Sequence, residues 1–356
     1  MAWLSGWNYR KTITVSASSV DTDLTAFPLA IPLATTSLDG HALANGHDIR
    51  ITQSDGSTLI PHYFNGYTGA GYSGVKTLVP TIDADNGVEL YLYYGRDDAS
   101  DVSSKVDVLG EYAFFAPLDG YTSGQAEDAN GYSLLAGGEP VAATGVIGGG
   151  VTIDAADYIY GGIDDYYGLV SALTVPDMAV SMVLQNWTWV NTASEVAFNI
   201  GSFSSGQNAF SLQLRPSTRD VRLQVRPGGD ALTAEGASGK VSADDLHLSA
   251  TLGISGTTLT AKVYVDGALK GTNTATVTET NLDFTNATQK FFRIGYTSIY
   301  GVHGVVDEVR IRKAATSDAW LKFEAANLMV AGNQITLGAE ESRSGVPIAL
   351  LMGGAV

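Results

Sequence analysis

The chain has 356 residues, and 37 acidic against 20 basic side chains leave a formal net charge of −17. Such a surface repels phosphate backbones, and no basic run offsets it, so nucleic-acid binding is not expected. The absence of cysteine rules out disulfides, thiol catalysis and Cys-ligated zinc, and no run of about 18 apolar residues is available to cross a membrane as a helix.

Hydrophobic residues at 45% suffice for sizeable cores, and 41 glycines with few candidate helices point to an all-β protein rich in tight turns. The start, Met1-Ala-Trp-Leu-Ser-Gly-Trp-Asn-Tyr-Arg-Lys11, lacks the basic opening and continuous apolar stretch of a signal peptide. Export by such a signal is therefore not expected.

Residues 1–105 read as a first unit. Arg10-Lys-Thr-Ile-Thr-Val15 alternates polar and apolar residues, as a half-buried strand does. Phe27-Pro-Leu-Ala-Ile-Pro-Leu33 follows, with prolines that suit an edge strand. Asp48-Ile-Arg-Ile-Thr52 is a third strand, turned by Ser54-Asp-Gly-Ser57 into Thr58-Leu-Ile-Pro-His62, and Val88-Glu-Leu-Tyr-Leu-Tyr-Tyr94 closes the unit. The polar stretch 100–108 reads as a linker. Trp7-x-Tyr-Arg-Lys11, Phe27-Pro28, Gly46-His-Asp-Ile49, Asp55-Gly56 and Leu90-Tyr-Leu-Tyr-Tyr-Gly95 occur in order. In these landmarks the unit resembles a domain of unknown function found in bacterial, archaeal and phage surface proteins. The resemblance implies a β-sandwich and no known activity.

Residues 109–330 read as a second unit. Met178-Ala-Val-Ser-Met-Val-Leu184 is a strongly apolar strand. Phe210, Leu212 and Leu214 share one face of the next strand, and Val221, Leu223 and Val225 share one face of its hairpin partner. Asp266-Gly267 supplies the positive φ angles of a two-residue hairpin turn. Ser317 is a helix N-cap, with Trp320, Phe323 and Leu328 available to pack on the sheet.

Within this unit, Phe114-Phe-Ala-Pro-Leu-Asp-Gly120, Asp128-Ala-Asn-Gly131 and Gly148-Gly-Gly-Val-Thr-Ile153 come first. Phe291-Phe-Arg-Ile-Gly-Tyr296, Gly304-Val-Val-Asp-Glu-Val-Arg-Ile-Arg312 and Ser317-Asp-Ala-Trp-Leu-Lys-Phe323 close it. Together they resemble concanavalin A-like jelly rolls of the laminin G type. The resemblance implies a fold that usually binds rather than cleaves. It also implies calcium at the sandwich rim, with Asp119, Asp128 and Asp307 as candidate ligands. The other reading of Asp119 and Asp128 is that they are turn residues, which aspartate favours in any case. No cofactor is required.

The same superfamily contains glycosidases, whose active strand carries carboxylates in a Glu-x-Asp-x-x-Glu spacing. That spacing is absent here. Asp307 and Glu308 are adjacent, so simple alternation sends them to opposite faces, whereas a retaining mechanism needs its carboxyls about 5–5.5 Å apart. The chain is therefore expected not to be an enzyme. None of the five histidines sits in a helical zinc spacing.

Aromatic residues are the remaining lead. Tyr158, Tyr160, Tyr166 and Tyr167 lie among carboxylates, and Trp187 and Trp189 fall on one face of a strand by alternation. Sugar rings stack on such faces. The alternative is core packing, and solvent exposure separates the two. Residues 331–356 fall outside both units. Their end holds Ile348, Leu350, Leu351 and Met352 with no charge, which reads as an assembly tail.

These readings converge on a non-enzymatic structural or attachment protein of a tailed-phage virion. Its partners would be other virion proteins, copies of itself and host surface polysaccharide, with no membrane insertion. The alternatives are a secreted or cell-surface carbohydrate-binding adhesin and, after it, a jelly-roll glycoside hydrolase.

Overall fold

The computed structural model describes residues 2–33, 38, 40–65, 74–118, 121, 125–127, 133–154, 157–161, 176–188, 195–200, 209–215, 217–226, 232–240, 244–280, 292–295, 301–329 and 334–343. They form two compact units, one of residues before 109 together with 334–343, the other from within 109–330. Both are all-β.

The first unit opens with β1 (Tyr9–Val15), β2 (Leu24–Ile31), β3 (Arg50–Gln53), β4 (Leu59–Ile60), β5 (His62–Asn65), β6 (Gly74–Ile82) and β7 (Val88–Tyr94), then a short helix α1 (Lys105–Leu109). One sheet runs β1-β7-β3-β4 and a second runs β2-β6-β5. Alternation sets the core: Ile13 and Val15 on β1, Leu90 and Leu92 on β7, Phe27 and Leu29 on β2 and Val75 and Val79 on β6 are all buried. β2, which carries Pro28, is an edge strand, where a missing N–H costs no ladder bond. The expected linker is mostly exposed but tied down. Arg50 Nη2 donates to the Ser100 carbonyl at 2.8 Å, and the Ser104 amide donates to the His62 carbonyl at 2.9 Å.

The second unit starts with β8 (Tyr112–Ala116), β9 (Gln125–Glu127), β10 (Ser133–Gly137), β11 (Val141–Thr144), β12 (Gly149–Ile153), β13 (Tyr158–Gly161), β14 (Asp177–Thr188) and β15 (Glu195–Ile200). Next come β16 (Ala209–Arg215), β17 (Asp220–Arg226), β18 (Leu232–Ala237), β19 (Leu246–Ser255), β20 (Thr258–Val265), β21 (Ala268–Thr276), β22 (Phe292–Gly295), β23 (His303–Arg312) and helix α2 (Asp318–Met329). One sheet runs β18-β17-β16-β15-β22-β13-β10-β9; the other runs β11-β12-β23-β14-β19-β20-β21, with β8 also on β23. Their facing sides share one core, in which Ile159, Phe198, Phe210, Leu212, Val221, Leu223 and Ile294 meet Val180, Met182, Leu184, Leu248, Val263 and Val306. The β20–β21 turn has Asp266 at φ 51° and Gly267 at φ 72°, as its sequence predicts. Ser317 caps α2, its Oγ accepting the Trp320 amide at 3.1 Å.

The chain then returns to the first unit. β24 (Ile335–Leu337) and β25 (Glu341–Ser342) both pair antiparallel with β1, so Ile13 faces Leu337 and Arg10 faces Glu341. The second unit is thus an insertion within the first. This corrects the expectation that everything after residue 330 lies outside both domains: residues 335–342 complete the first sheet. Two glutamates fasten the return. Glu341 accepts from Arg10 Nε and Nη2 at 2.9 and 2.7 Å, and the Arg10 guanidinium sits 4.4 Å from the Trp3 ring and 4.2 Å from the Tyr91 ring. Glu340 accepts the Tyr94 hydroxyl at 2.8 Å and lies 3.0 Å from Nδ1 of His41, whose ring stacks on Tyr9. The tail residues Ile348, Leu350, Leu351 and Met352 lie outside the described residues.

Candidate functional site

Alternation along β13 sends Ile159 into the core and places Tyr158 and Tyr160 on the solvent-side face of their sheet. Both rings are half-buried, 5.5 Å apart between centroids and tilted by 39°. Gly137 stands opposite Tyr158 on β10, and a Cβ there would come within 2.2 Å of Tyr158 Cζ. The glycine therefore lets the ring lie down against the sheet. From the other side, the Arg293 guanidinium lies 5.3 Å from the Tyr158 ring centroid.

Strand register extends this pair into a row across the sheet. Leu135 faces Tyr160, Tyr160 faces Arg293, and Arg293 faces Asn199. Asn199 faces Ser211, Ser211 faces Gln224, and Gln224 faces Thr233. Every member except Leu135 is polar or a tyrosine, whereas the opposite face of the same strands is core. Asn199 is 3% exposed; its Nδ2 donates to the Phe210 carbonyl at 3.1 Å, and its Oδ1 has no hydrogen-bond partner among the described residues. Gln213 Nε2 donates to Ser211 Oγ at 2.9 Å. At the far edge, Glu235 accepts from Arg215 and Arg222 at 2.8 and 2.9 Å.

Trp187 does not join this surface. It is fully buried in the jelly-roll core, with Nε1 3.4 Å from the Glu195 carboxylate. With Val180, Met182 and Leu184 pointing inward, simple alternation would send residue 187 outward. Asn186 instead takes φ 51°, and the pairing with β23 slips between Gln185 and Thr188. That bulge rotates Trp187 into the core. Trp187 as a glycan-binding residue is therefore corrected. Tyr166, Tyr167 and Trp189 lie outside the described residues.

Asp307 is likewise structural. It is fully buried; its Oδ2 accepts the Val146 amide at 2.7 Å and the Ile147 amide at 3.4 Å, and its Oδ1 accepts the Glu308 amide at 2.7 Å. These bonds pin the β11–β12 turn, which gives Asp307 a structural role. Asp119 and Asp128 lie outside the described residues. Among the described residues no group of three or more histidine, aspartate and glutamate side chains is placed to hold a metal ion.

The Asp-Glu-Val-Arg motif serves the opposite sheet instead. Glu308 takes φ 54°, and the register with β14 shifts between Ser181 and Val183, so alternation breaks between Asp307 and Arg310. Arg310, 2% exposed, donates to Glu308 at 2.7 Å and to Glu324 of α2 at 2.8 Å. The other Glu324 oxygen lies 3.0 Å from Nε2 of buried His247. Burial opposes the charge on Glu324, but Arg310, then His247 and Ser181, hold its carboxyl below the ordinary range. The network binds α2 to the sheet.

The sequence places Arg293 in the Phe291–Tyr296 strand motif and gives it no role. The signal was present, because Phe292 and Ile294 alternate with it, placing Arg293 on the face opposite the core. Asn199, Ser211 and Gln224 carry the same signal on their own strands.

Two families match the chain. A domain of unknown function (DUF2341) matches residues 45–129, and the concanavalin A-like lectin/glucanases superfamily matches residues 171–322. No curated protein matches. Among solved structures, domain 4 of AbnA, a GH43 extracellular arabinanase from Geobacillus stearothermophilus, in complex with arabinotriose, is 16% identical with a TM-score of 0.45, over 60% of this chain and 98% of that one. The CBM40 of the Ruminococcus gnavus IT-sialidase bound to alpha2,6 sialyllactose is 14% identical with a TM-score of 0.34, over 44% and 87%. The receptor binding domain of botulinum neurotoxin C/D mosaic serotype is 12% identical with a TM-score of 0.46, over 61% and 51%. In chain order, then, this protein carries the domain of unknown function followed by a concanavalin A-like domain of the laminin G type.

Proposed function

We propose that the protein is a non-enzymatic attachment protein whose jelly roll holds a glycan across the Tyr158 face of its β9-containing sheet. One observation carries the reading: two half-buried tyrosines lie side by side on the face opposite the core, at the start of a row of polar side chains whose middle members, Asn199 and Ser211, are buried, and no described helix covers that face. Aromatic faces take sugar rings, and amide, hydroxyl and guanidinium groups take their hydroxyls. The match to the lectin/glucanases superfamily supports the same reading.

The described carboxylates on this face, Asp220 and Glu235, are engaged by Arg215 and Arg222. Carboxylates held in ion pairs with arginine are poorly suited to act as a general acid, which favours binding over hydrolysis. The setting we favour is a tailed-phage particle, in which the chain joins other virion proteins and copies of itself. A cysteine-free, glycine-rich β-architecture pairing two modules of surface type supports that setting.

An oligosaccharide array tests the binding. The wild-type chain should retain a defined set of glycans, and Tyr158→Ala and Tyr160→Ala should lose them with an unchanged melting temperature. Retention by both variants would sink the site. Immunogold labelling of purified phage particles tests the setting, and unlabelled particles would remove it.

A further inference from the structure

We propose that Gly137 sets the pose of the Tyr158 ring, and that the resulting angle between the two tyrosines selects a glycan whose successive sugars turn relative to one another. The inference rests on the glycan reading above and adds the residue that shapes the platform and the class of chain that fits it. A Cβ on Gly137 would lie 2.2 Å from Tyr158 Cζ, 2.5 Å from Cε1 and 2.6 Å from Cε2. The far end of the ring therefore fills the space that any other side chain at 137 would need, and the ring lies down across β10. On its other flank the cross-strand partner of Tyr158 is Gly295, so neither neighbouring strand offers a directly paired side chain to prop the ring upright. Tyr160, two residues along β13, is paired instead with Leu135 and Arg293, and Leu135 occupies the place that Gly137 leaves open. The two rings consequently differ in plane by 39°, although their centroids are only 5.5 Å apart. The Arg293 guanidinium, 5.3 Å from the Tyr158 centroid, leaves that ring half-buried rather than covered.

That angle has a consequence for the ligand. A sugar stacks with the face of its ring against the aromatic face, so two neighbouring sugars that each take one tyrosine must themselves be turned by a similar angle. Cellulose-type chains are flat ribbons whose successive rings stay nearly coplanar, and they can stack on one tyrosine at a time. Amylose-type chains turn at every linkage and can seat on both. Selection of this kind needs no net charge on the face. It depends on position 137 lacking a side chain. Gly137 lies within strand β10 and has no positive φ, so backbone freedom is not the reason for a glycine there. What the position requires is room for the ring.

The oligosaccharide array carries the test, with cello- and malto-oligosaccharides of equal length among its members and calorimetry on whatever the wild-type chain retains. Flat ribbons should rank below turned chains on the wild type. Gly137→Ala should bind the retained glycans tenfold or more weakly at an unchanged melting temperature, because alanine suits a strand and only the ring has to move. Leu135→Gly should let Tyr160 lie down as well, flattening the platform and raising the flat ribbons in the ranking. Flat ribbons as the strongest wild-type ligands, or wild-type affinity in Gly137→Ala, overturn the inference and leave the glycan reading standing. Retention of no glycan by the wild type overturns both. Where Gly137→Ala also melts lower, Leu135→Gly decides: a ranking unchanged from wild type overturns the inference.

Discussion

The two sheets of the jelly roll share a core, but their outer faces have opposite fates. On the β14–β23 face, polar groups are sealed beneath α2: Arg310, Glu308, Glu324 and His247 answer one another and meet almost no water. On the Tyr158 face, the tyrosines and Arg293 stay partly exposed, and register rather than a covering helix aligns them. The same side-chain chemistry therefore serves cohesion on one side and, in our proposal, recognition on the other. What separates them among the described residues is whether a helix covers the face.

Four tests press on that contrast. Arg310→Ala should be the most damaging, because it leaves Glu308 and Glu324 charged and enclosed; breaking such a pair costs about 3–5 kcal/mol. Urea unfolding of the second unit measures this, and a loss below about 1 kcal/mol would mean that the roof is dispensable. Trp187→Ala comes next. Truncating a buried tryptophan costs about 3 kcal/mol or more, so its melting temperature should fall together with any binding. Lost binding at unchanged stability would return the indole to the surface.

Acid should separate the two units. Burial, reinforced by Arg50, pushes His62 down to about 4, with Asp101 opposing. The folded value is below the unfolded one, so the unfolded state takes up more protons between about 4 and 6.5. Stability of the first unit is complete above pH 6.5 and is lost as pH falls toward 4, by up to about 3 kcal/mol. Glu324, also held below its ordinary value, stabilises the second unit until the pH falls beneath the usual carboxylate range. Calorimetric scans at pH 7, 5 and 3 should show the first unit weakening first. The reverse order would place the weaker network under α2. The smallest effect on stability belongs to Tyr160→Ala, within about 0.5 kcal/mol as for other surface changes, despite its large effect on glycan retention. A drop of several degrees in melting temperature would make that ring structural.

Much of this fold was readable in the sequence because it is local. The alternation of Phe210, Leu212 and Leu214 against Val221, Leu223 and Val225, the Asp266-Gly267 turn and the Ser317 cap each depend on a few adjacent residues. The failures also have physical causes. Asn186 and Glu308 adopt left-handed backbone, which asparagine tolerates better than most residues and glutamate rarely takes, and each slips the register so that an alternation count fails beyond it. Trp187 was misassigned for that reason. The return of Ile335–Leu337 to β1 depends on a partner more than 300 residues away, which no local pattern announces. Of the site, the tyrosines were legible from composition. The row through Arg293, Asn199 and Ser211 required the pairing of β22 between β13 and β15.

The return strands also determine how the protein carries a mechanical load. Tyr9 and Ser342 are cross-strand neighbours, so tension applied to the chain beyond them is borne by the β1–β25 and β1–β24 pairs and by the Arg10–Glu341 clasp. That clasp must part before β25 can leave β1.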